Sequence, residues 1–518
     1  MSYEIICPYC FQEMRDDEVL FRSEKVSQEE DYPLPAGYHN RADFQSRYNG
    51  SNKDEILGKL DEWEFFEKTD DEKYGRFWKD FDETTEDNPA DKMLGIEAYR
   101  RKVIDPSNEK HQRYLKRQPN GTWFLYDDDG MAAQIELQTN EKCSRRVCRH
   151  CHNPLPDNYG KNKAKFAVVI GITGAGKTIY LSQMLRGMRG YAAKVGVSAV
   201  VSNSNVRSFL EKNSVAAKKR LPGSTPVTRF QQPLCYEMTR EGAGKERITE
   251  TFVLYDVAGE VFKDKELVKK FAPFIEHADG VIVLIDPMQF EVISGTSAQN
   301  DRLDEPSMVL ETIHHIISHG KDNTKCEIPF AVCISKVDTE DVQRVLNDRL
   351  SALLRDDVHG IPDENGLYLP VFNAKEYNPI AQELNDFIQT NEIVLAQQMQ
   401  ANYTSYAYFA FTALGCDVEE AMSENGGKYN CPIGPVLPKR IEEPLLWLFH
   451  QMGYIDRNEE LFSPVRQKKY CPVCNSEKVH ELSEEEGRVT SGFWIFKKEE
   501  HYNRQCEQCG HRWIEDMV

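Results

Sequence analysis

Apolar residues in the middle of the chain follow two rhythms. Short, nearly continuous apolar runs at 165–170, 233–238, 250–255, 280–286, 329–334 and 406–411 predict strands, most of them buried on both faces. Between them, apolar positions at three- and four-residue spacing predict helices over 178–189, 262–277, 306–319, 339–356, 378–403 and 441–452. This alternation predicts an α/β sheet with helices on both faces. The runs at 233–238 and 250–255, joined through Glu241-Gly242-Ala243-Gly244, read as an antiparallel hairpin within an otherwise parallel sheet. Upstream, 122–126 and 132–137 flank the acidic turn Asp127-Asp128-Asp129-Gly130 and predict a second hairpin. Its carboxylates would suit Ca²⁺, but a short charge run ordinarily faces water.

The first strand runs into Gly171-Ile172-Thr173-Gly174-Ala175-Gly176-Lys177-Thr178, and a helix follows at once. Strand, glycine loop with Lys-Thr, and helix together form a phosphate-binding loop in its required context. Backbone N–H groups of Gly171, Thr173, Gly174, Ala175 and Gly176 would turn inward around an anionic phosphate, aided by the helix N-terminus. Lys177 would reach the terminal phosphates, and the Thr178 hydroxyl would hold Mg²⁺.

Three later segments narrow the ligand. About 80 residues on, an apolar strand ends in Asp256-Val257-Ala258-Gly259-Glu260. Asp256 is placed to hold Mg²⁺ through water, and Gly259 to offer its N–H to a γ-phosphate. The strand at 329–334 ends in Ser335-Lys336-Val337-Asp338. The Asp338 carboxylate would accept two parallel hydrogen bonds from guanine N1–H and N2–H₂, a pattern adenine lacks, and the Lys336 stem would lie across the base. The last strand ends in Phe411-Thr412-Ala413-Leu414-Gly415, where the Ala413 N–H, with Leu414 beside it, would meet the guanine O6. A first switch is weakly marked in the loop 221–229, where Thr225 or Thr228 would bring a hydroxyl to Mg²⁺, Thr228 being slightly preferred.

The cysteines change the picture at both ends. Of 14, eight form Cys-x-x-Cys pairs: Cys7/Cys10, Cys148/Cys151, Cys471/Cys474 and Cys506/Cys509. Without a leader at Met1-Ser2-Tyr3-Glu4 or an apolar run near the roughly 18 residues of a membrane span, the expected location is cytoplasmic. There, such pairs indicate Zn²⁺ rather than disulfides. The last two pairs, 31 residues apart, predict a closed four-thiolate site. The first two are separated by 137 residues, so one shared Zn²⁺ requires a folded excursion whose ends meet, with Cys143 and His152 as alternative ligands. The other cysteines (Cys235, Cys326, Cys333, Cys416 and Cys431) read as small apolar residues in or near the core.

The excursion, 11–147, carries 32 acidic against 22 basic residues, half of the net charge of −20. Its aromatics, as in Asp61-Glu62-Trp63-Glu64-Phe65-Phe66-Glu67, predict partial folding. So acidic a chain is poorly suited to wrapping a polyanion, which argues against nucleic acid as the main partner. The expected organisation is a split zinc ribbon at 1–160 with its acidic insertion, a nucleotide domain at 161–455 and a second ribbon at 466–518. That tail, with no basic stripe, would dock proteins or simply staple the fold.

The ordered motifs GITGAGKT, DVAGE, SKVD and FTALG across 165–455 resemble those of the Ras-like GTPases of the TRAFAC class. More narrowly, Cys151-His152-Asn153-Pro154-Leu155-Pro156 and Arg440-Ile441-Glu442-Glu443-Pro444-Leu445-Leu446-Trp447 are similar to features of the bacterial double-GTPase type. The resemblance implies a Ras-like P-loop sheet flanked by zinc ribbons. It also implies a GTP/GDP switch acting with Mg²⁺ and partner proteins in a bacterial conflict, defence or signalling system. Two departures stand out. Ser335 replaces the usual Asn, a mild change, whereas Glu260 stands where a water-orienting Gln is common. Slow hydrolysis is therefore expected, with Glu260 a candidate base or with the site completed by a partner's arginine or a second copy of the chain. A GTP-bound scaffold that never hydrolyses, and a nucleic-acid adaptor using the ribbons, are the rival readings.

Overall fold

The computed structural model describes residues 4–81, 98–156, 158–172, 174–223, 230–242, 246–294, 305–318, 325–422, 427–464, 479–482, 488–491, 498–502 and 504–513. They divide into two compact units, Met1–Phe462 and Ser463–Val518.

The first unit is built on a seven-stranded sheet. Its strands are β1 (Ala164–Gly171), β2 (Ser198–Val201), β3 (Leu234–Glu241), β4 (Arg247–Ala258), β5 (Gly280–Ile285), β6 (Phe330–Ile334) and β7 (Tyr406–Ala410), in the order β2-β3-β4-β1-β5-β6-β7. From β4 to β7 every pairing is parallel, while β3 pairs antiparallel with both β4 and β2. The predicted hairpin is present, and the edge strand β2 is an element the run lengths did not reveal. Only four residues long, it has the buried Ala199 flanked by polar or exposed positions.

Apolar runs without alternation arise because both faces of the sheet are covered. Ala167, Val169, Leu254, Ile282, Leu284, Ala331, Cys333, Ala407 and Phe409 join one core with helices α1 (Lys177–Ala193), α5 (Ala374–Asn391) and α7 (Glu443–Gln451). The intervening residues point the other way. There Phe330 packs on Tyr403, with ring centroids 4.3 Å apart, and the Tyr403 hydroxyl donates to the Leu310 carbonyl of α4 (Glu305–Ile317) at 2.8 Å.

Three predicted helices are shorter than their periodicity suggested. The segment 262–277 contains α3 (Lys265–Phe271) between two 3₁₀ turns, Gly259–Lys263 and Pro273–His277, because Pro273 cannot donate into a continuing helix. The segment 339–356 splits at Asn347, whose side chain accepts from the Leu350 N–H and starts a new helix. The segment 378–403 breaks at Glu392 between α5 and α6 (Ile393–Asn402).

The excursion between the first two cysteine pairs is folded. It contains helices Arg41–Arg47, Lys53–Phe65 and Glu72–Lys79 and the hairpin Phe124–Tyr126 with Ala132–Glu136. In the acidic turn, Asp127 accepts from the Asp129 and Met131 N–H groups, and both Asp127 and Asp129 ion-pair with Lys161. An intramolecular cation thus serves carboxylates that had suggested Ca²⁺.

This N-terminal region lies directly on the sheet. The Phe11 ring is 6.3 Å from Phe166 of β1, 5.7 Å from Tyr255 of β4 and 5.6 Å from His277, and the Tyr255 hydroxyl donates to the Pro8 carbonyl at 2.7 Å. Removing a buried aromatic typically costs about 3–5 kcal/mol. Phe11→Ala is therefore expected to lower the denaturation midpoint of the full chain by a corresponding amount; an unchanged midpoint would show that this contact contributes nothing to stability.

Candidate functional site

Because β1, β4, β5, β6 and β7 are parallel, their C-terminal ends open on one edge of the sheet, the usual location of a ligand in an open α/β fold. Every described residue of the four nucleotide motifs lies on that edge. Thr173, Thr225 and Thr228 fall outside the described residues.

The phosphate loop turns tightly. Gly174 and Gly176 have φ of +87° and +73°, left-handed values that favour glycine. A methyl group at Gly171 would lie 2.4 Å from the Lys177 Cβ, so this glycine lets Lys177 fold back over the strand end. The register Val169↔Asp256 and Gly171↔Ala258 sets the Asp256 strand beside the loop. Gly259 abuts it so closely that a Cβ there would stand 2.7 Å from the Gly171 carbonyl oxygen and 3.0 Å from the Ile172 Cα. Thr178 follows Lys177 in the first turn of α1, and Glu260 lies in the 3₁₀ turn after Gly259.

Lys177 and Asp256, each about one-twentieth exposed, ion-pair across the loop. Burial pushes the Lys177 ammonium below its ordinary range, while Asp256 and Glu260 pull it back up. The pair brings together the cation expected to grip phosphate and the carboxylate expected to hold a metal.

At the other end of the edge, Ser335 donates through its hydroxyl to the Ile285 carbonyl at 3.1 Å. Lys336 adopts φ +54° and pairs with Asp286 at 3.0 Å. Asp338 accepts from the Thr412 hydroxyl at 2.8 Å. Thr412 also pairs with Lys439 through two backbone hydrogen bonds of 3.0 and 2.8 Å. The adjacent Arg440 ion-pairs with Glu443, both nearly fully buried. Ala413 and Leu414 follow, the Leu414 carbonyl accepting from the Leu437 N–H at 2.7 Å.

Two of these side chains carried no role in the motif reading. Asp286 caps the next turn through the Met288 N–H, pairs with Lys336, and lies so near the phosphate loop that a Cβ on Gly174 would come within 2.6 Å of its Oδ2. Its position at the end of an apolar strand was the available signal. Thr412, buried between Phe411 and Ala413, orients the Asp338 carboxylate; a hydroxyl at an otherwise apolar strand end was its signal.

The second site is the cysteine cluster. Cys7, Cys10, Cys148 and Cys151 bring their sulfurs within 4.8 Å of one another. Both knuckles have the same backbone. The N–H of Cys7 donates to the Gln12 carbonyl and that of Phe11 to the Cys7 carbonyl; Cys148, Asn153 and His152 repeat the pattern. Phe11 and His152 have φ of +56° and +57°. Four thiols, three buried and Cys10 half-buried, two of them (Cys7 and Cys151) pushed well above the ordinary thiol range first by burial, form a donor set that fits a tetrahedral zinc ribbon. Neither alternative ligand joins them. Burial raises the Cys143 thiol and the Ser23 hydroxyl hydrogen-bonds it, whereas His152 turns its Nδ1 to Asp71 at 2.8 Å.

In the C-terminal unit Cys471 and Cys474 lie outside the described residues. Cys506 repeats the knuckle pattern: its N–H donates to the His511 carbonyl, the Gly510 N–H donates to the Cys506 carbonyl, and Gly510 has φ +74°. Of the remaining cysteines, Cys235, Cys326 and Cys333 are buried, but Cys416 and Cys431 are half-exposed, the latter against Glu419.

A phosphate loop at the end of the first core strand, with an Asp-x-x-Gly strand beside it, defines a P-loop nucleotide-binding domain. Residues 166–364 match the Double-GTPase 2 family, and this chain carries a P-loop GTPase domain of the double-GTPase type. Over 215 residues it is 25% identical to the putative ESX-1 scaffolding and assembly protein SaeC of Mycolicibacterium smegmatis (strain ATCC 700084 / mc(2)155), covering 39% of this chain and 52% of that protein. The chain therefore spans about half the length of this curated relative. Among solved structures it is similar to Sup35 complexed with GDP (16% identity, TM-score 0.22, 53% of this chain and 43% of that one). It is also similar to translation elongation factor SelB from Methanococcus maripaludis in complex with the GTP analogue GppNHp (12% identity, TM-score 0.19, 49% and 30%). At these scores the structural likeness carries no argument about function. Among the described residues no helix is long and apolar enough to cross a membrane.

Two outcomes follow from the geometry. Cys10→Ser is expected to lower the zinc-to-protein ratio of the full chain by one, read by inductively coupled plasma mass spectrometry; an unchanged ratio would mean that the four sulfurs hold no metal. A hydrogen bond to a charged group is worth about 1.5–3 kcal/mol. Thr412→Val is thus expected to weaken guanine-nucleotide binding by roughly ten- to a hundredfold by calorimetry, with little change for the triphosphate moiety alone.

Proposed function

We propose that the chain is a GTP-binding switch with slow, Mg²⁺-dependent hydrolysis to GDP and phosphate. The observation that carries this reading is the Lys177–Asp256 ion pair held against Gly171 and Gly259. A triphosphate entering the loop competes for the same ammonium. Lys177 would then be free to reach the β- and γ-phosphates, Asp256 and the Thr178 hydroxyl would hold Mg²⁺, and the Gly259 N–H would be offered to the γ-phosphate. Bound Mg²⁺ neutralises charge on the phosphates. Loss of the γ-phosphate restores the competition in favour of the ion pair, so the strand end after Asp256 reads the nucleotide state.

Base selection rests on Asp338, oriented by Thr412, and on Lys336, anchored by Asp286. Ser335 ties the loop to β5, and the backbone at Ala413 and Leu414 closes over the base. Either Thr225 or Thr228 completes the metal site from the first switch. Glu260 sets the rate: a carboxylate near the γ-phosphate opposes attack unless it acts as the base. Its electrostatic coupling to Lys177 also supports the second reading, a scaffold that binds GTP without hydrolysing it.

The organisation that goes with this switch is a split ribbon at 1–160 carrying its insertion, the nucleotide domain at 161–455 and a ribbon at 466–518 whose metal would be held by Cys471, Cys474, Cys506 and Cys509. The ribbons dock partner proteins. The similarity to a protein named for scaffolding and assembly supports that role.

Single-turnover assays on the full chain with Mg²⁺ test the reading. Phosphate release from GTP is expected to exceed that of Lys177→Ala, and ATP in excess is expected to compete poorly. Release no faster than the variant eliminates hydrolysis and leaves the scaffold. Binding of ATP in preference to GTP would overturn both.

A further inference from the structure

Residues of the N-terminal region and the segment 202–205 line a cavity of about 510 Å³ that shares no lining residue with the nucleotide motifs. Among the described residues its walls include three arginines, Arg22, Arg145 and Arg146, in a chain of net charge −20. Two of these cations are already neutralised: Arg22 pairs with Asp71 at 2.7 Å and Arg145 with Glu24 at 2.7 Å. Arg146 makes no ion pair within 4 Å among the described residues, although the Asp16 and Asp127 carboxylates act on it from farther off. It is 6% exposed, one Nη donates to the Tyr159 carbonyl at 2.6 Å, and its Nε and other Nη have no hydrogen-bond partner. Leaving a buried guanidinium half satisfied is costly, and burial pulls it down to about 10.

The start of helix α2 (Ser204–Asn213) forms another part of the wall, with Ser202, Asn203, Ser204 and Asn205 all lining the cavity. The N-cap residue Asn203 does not cap the helix. Its side chain instead donates to the Pro233 carbonyl at 2.8 Å and accepts from the Cys235 N–H. The first N–H groups of α2 thus lack a side-chain acceptor, and the buried Ser202 hydroxyl has no partner either. A helix N-terminus, an unpaired arginine and an unpaired hydroxyl around one cavity are the elements of an anion site.

We infer that this cavity binds a phosphomonoester of nucleotide size, its phosphate held between Arg146, Ser202 and the N-terminus of α2. The site is separate from the phosphate loop and does not depend on the GTP reading. Tyr99 and Pro156 supply apolar wall for the body of the ligand.

Calorimetry on the full chain with adenosine 5′-monophosphate, adenosine and inorganic phosphate tests it, in the wild type and in Lys177→Ala, which disables the phosphate loop. The monophosphate is expected to bind at one site in both proteins, and adenosine at least tenfold more weakly. Ser202→Ala and Arg146→Lys are each expected to weaken the monophosphate at least threefold, with the melting temperature of the free protein unchanged in Ser202→Ala. The inference is overturned if neither monophosphate nor phosphate binds at about 10 mM, where even a Kd of about 1 mM registers. It is equally overturned if adenosine binds as well as its phosphate, if Ser202→Ala leaves binding unchanged, or if Lys177→Ala abolishes it.

Discussion

The nucleotide edge depends on one close approach. Strands β1 and β4 run parallel and finish level with one another, Gly171 opposite Ala258. Their ends then separate into two loops whose backbones touch, the Gly171 carbonyl against the Gly259 Cα. A side chain at Gly259 would strike the Gly171 backbone and one at Gly171 would strike the Lys177 side chain, which ion-pairs with Asp256. Every other element on this edge is placed relative to that contact. Asp286 at the end of β5 leans on Gly174, and through Lys336 it ties the phosphate loop to the loop 335–338.

The N-terminal region is part of the same apparatus. Phe11 packs on Phe166 of β1 and Tyr255 of β4. A second aromatic group gathers around Phe230, the first described residue after 224–229. Tyr9 of the first knuckle, Phe77 and Trp78 of the helix Glu72–Lys79, and Phe81 just beyond it all lie within 6.3 Å of the Phe230 ring centroid, and Phe81 also reaches Phe271 of α3. Phe230 and α3, which follows the Gly259 turn, thus rest against residues of the acidic insertion.

Much of this could be read from the chain because its signals are local. A strand that must be apolar on both sides, a loop that excludes side chains and a knuckle that requires two thiolates each leave a mark within eight residues. Long-range choices leave none. That Thr412 would serve Asp338, or that Asp286 would serve Lys336, depends on which strands become neighbours in the sheet. The over-long helices at 262–277, 339–356 and 378–403 were misjudged for a related reason. Packing against the sheet keeps apolar spacing in phase across a break, so periodicity continues where Pro273, Asn347 or Glu392 ends the hydrogen bonding. The edge strand β2 is too short to announce itself. Conversely, the meeting of the two distant knuckles was legible, because four thiols in paired spacing need each other more than any of them needs its own neighbours.

That meeting has a consequence for how the chain is born. Cys7 and Cys10 leave the ribosome well over a hundred residues before Cys148 and Cys151, a wait on the order of ten seconds at ordinary elongation rates. Over that interval the early pair has no mates, and Phe11 and Tyr9 have no sheet to cover. Synthesis therefore obliges the segment around the early pair to stay uncommitted while the strands and thiols that it will later meet are still being made.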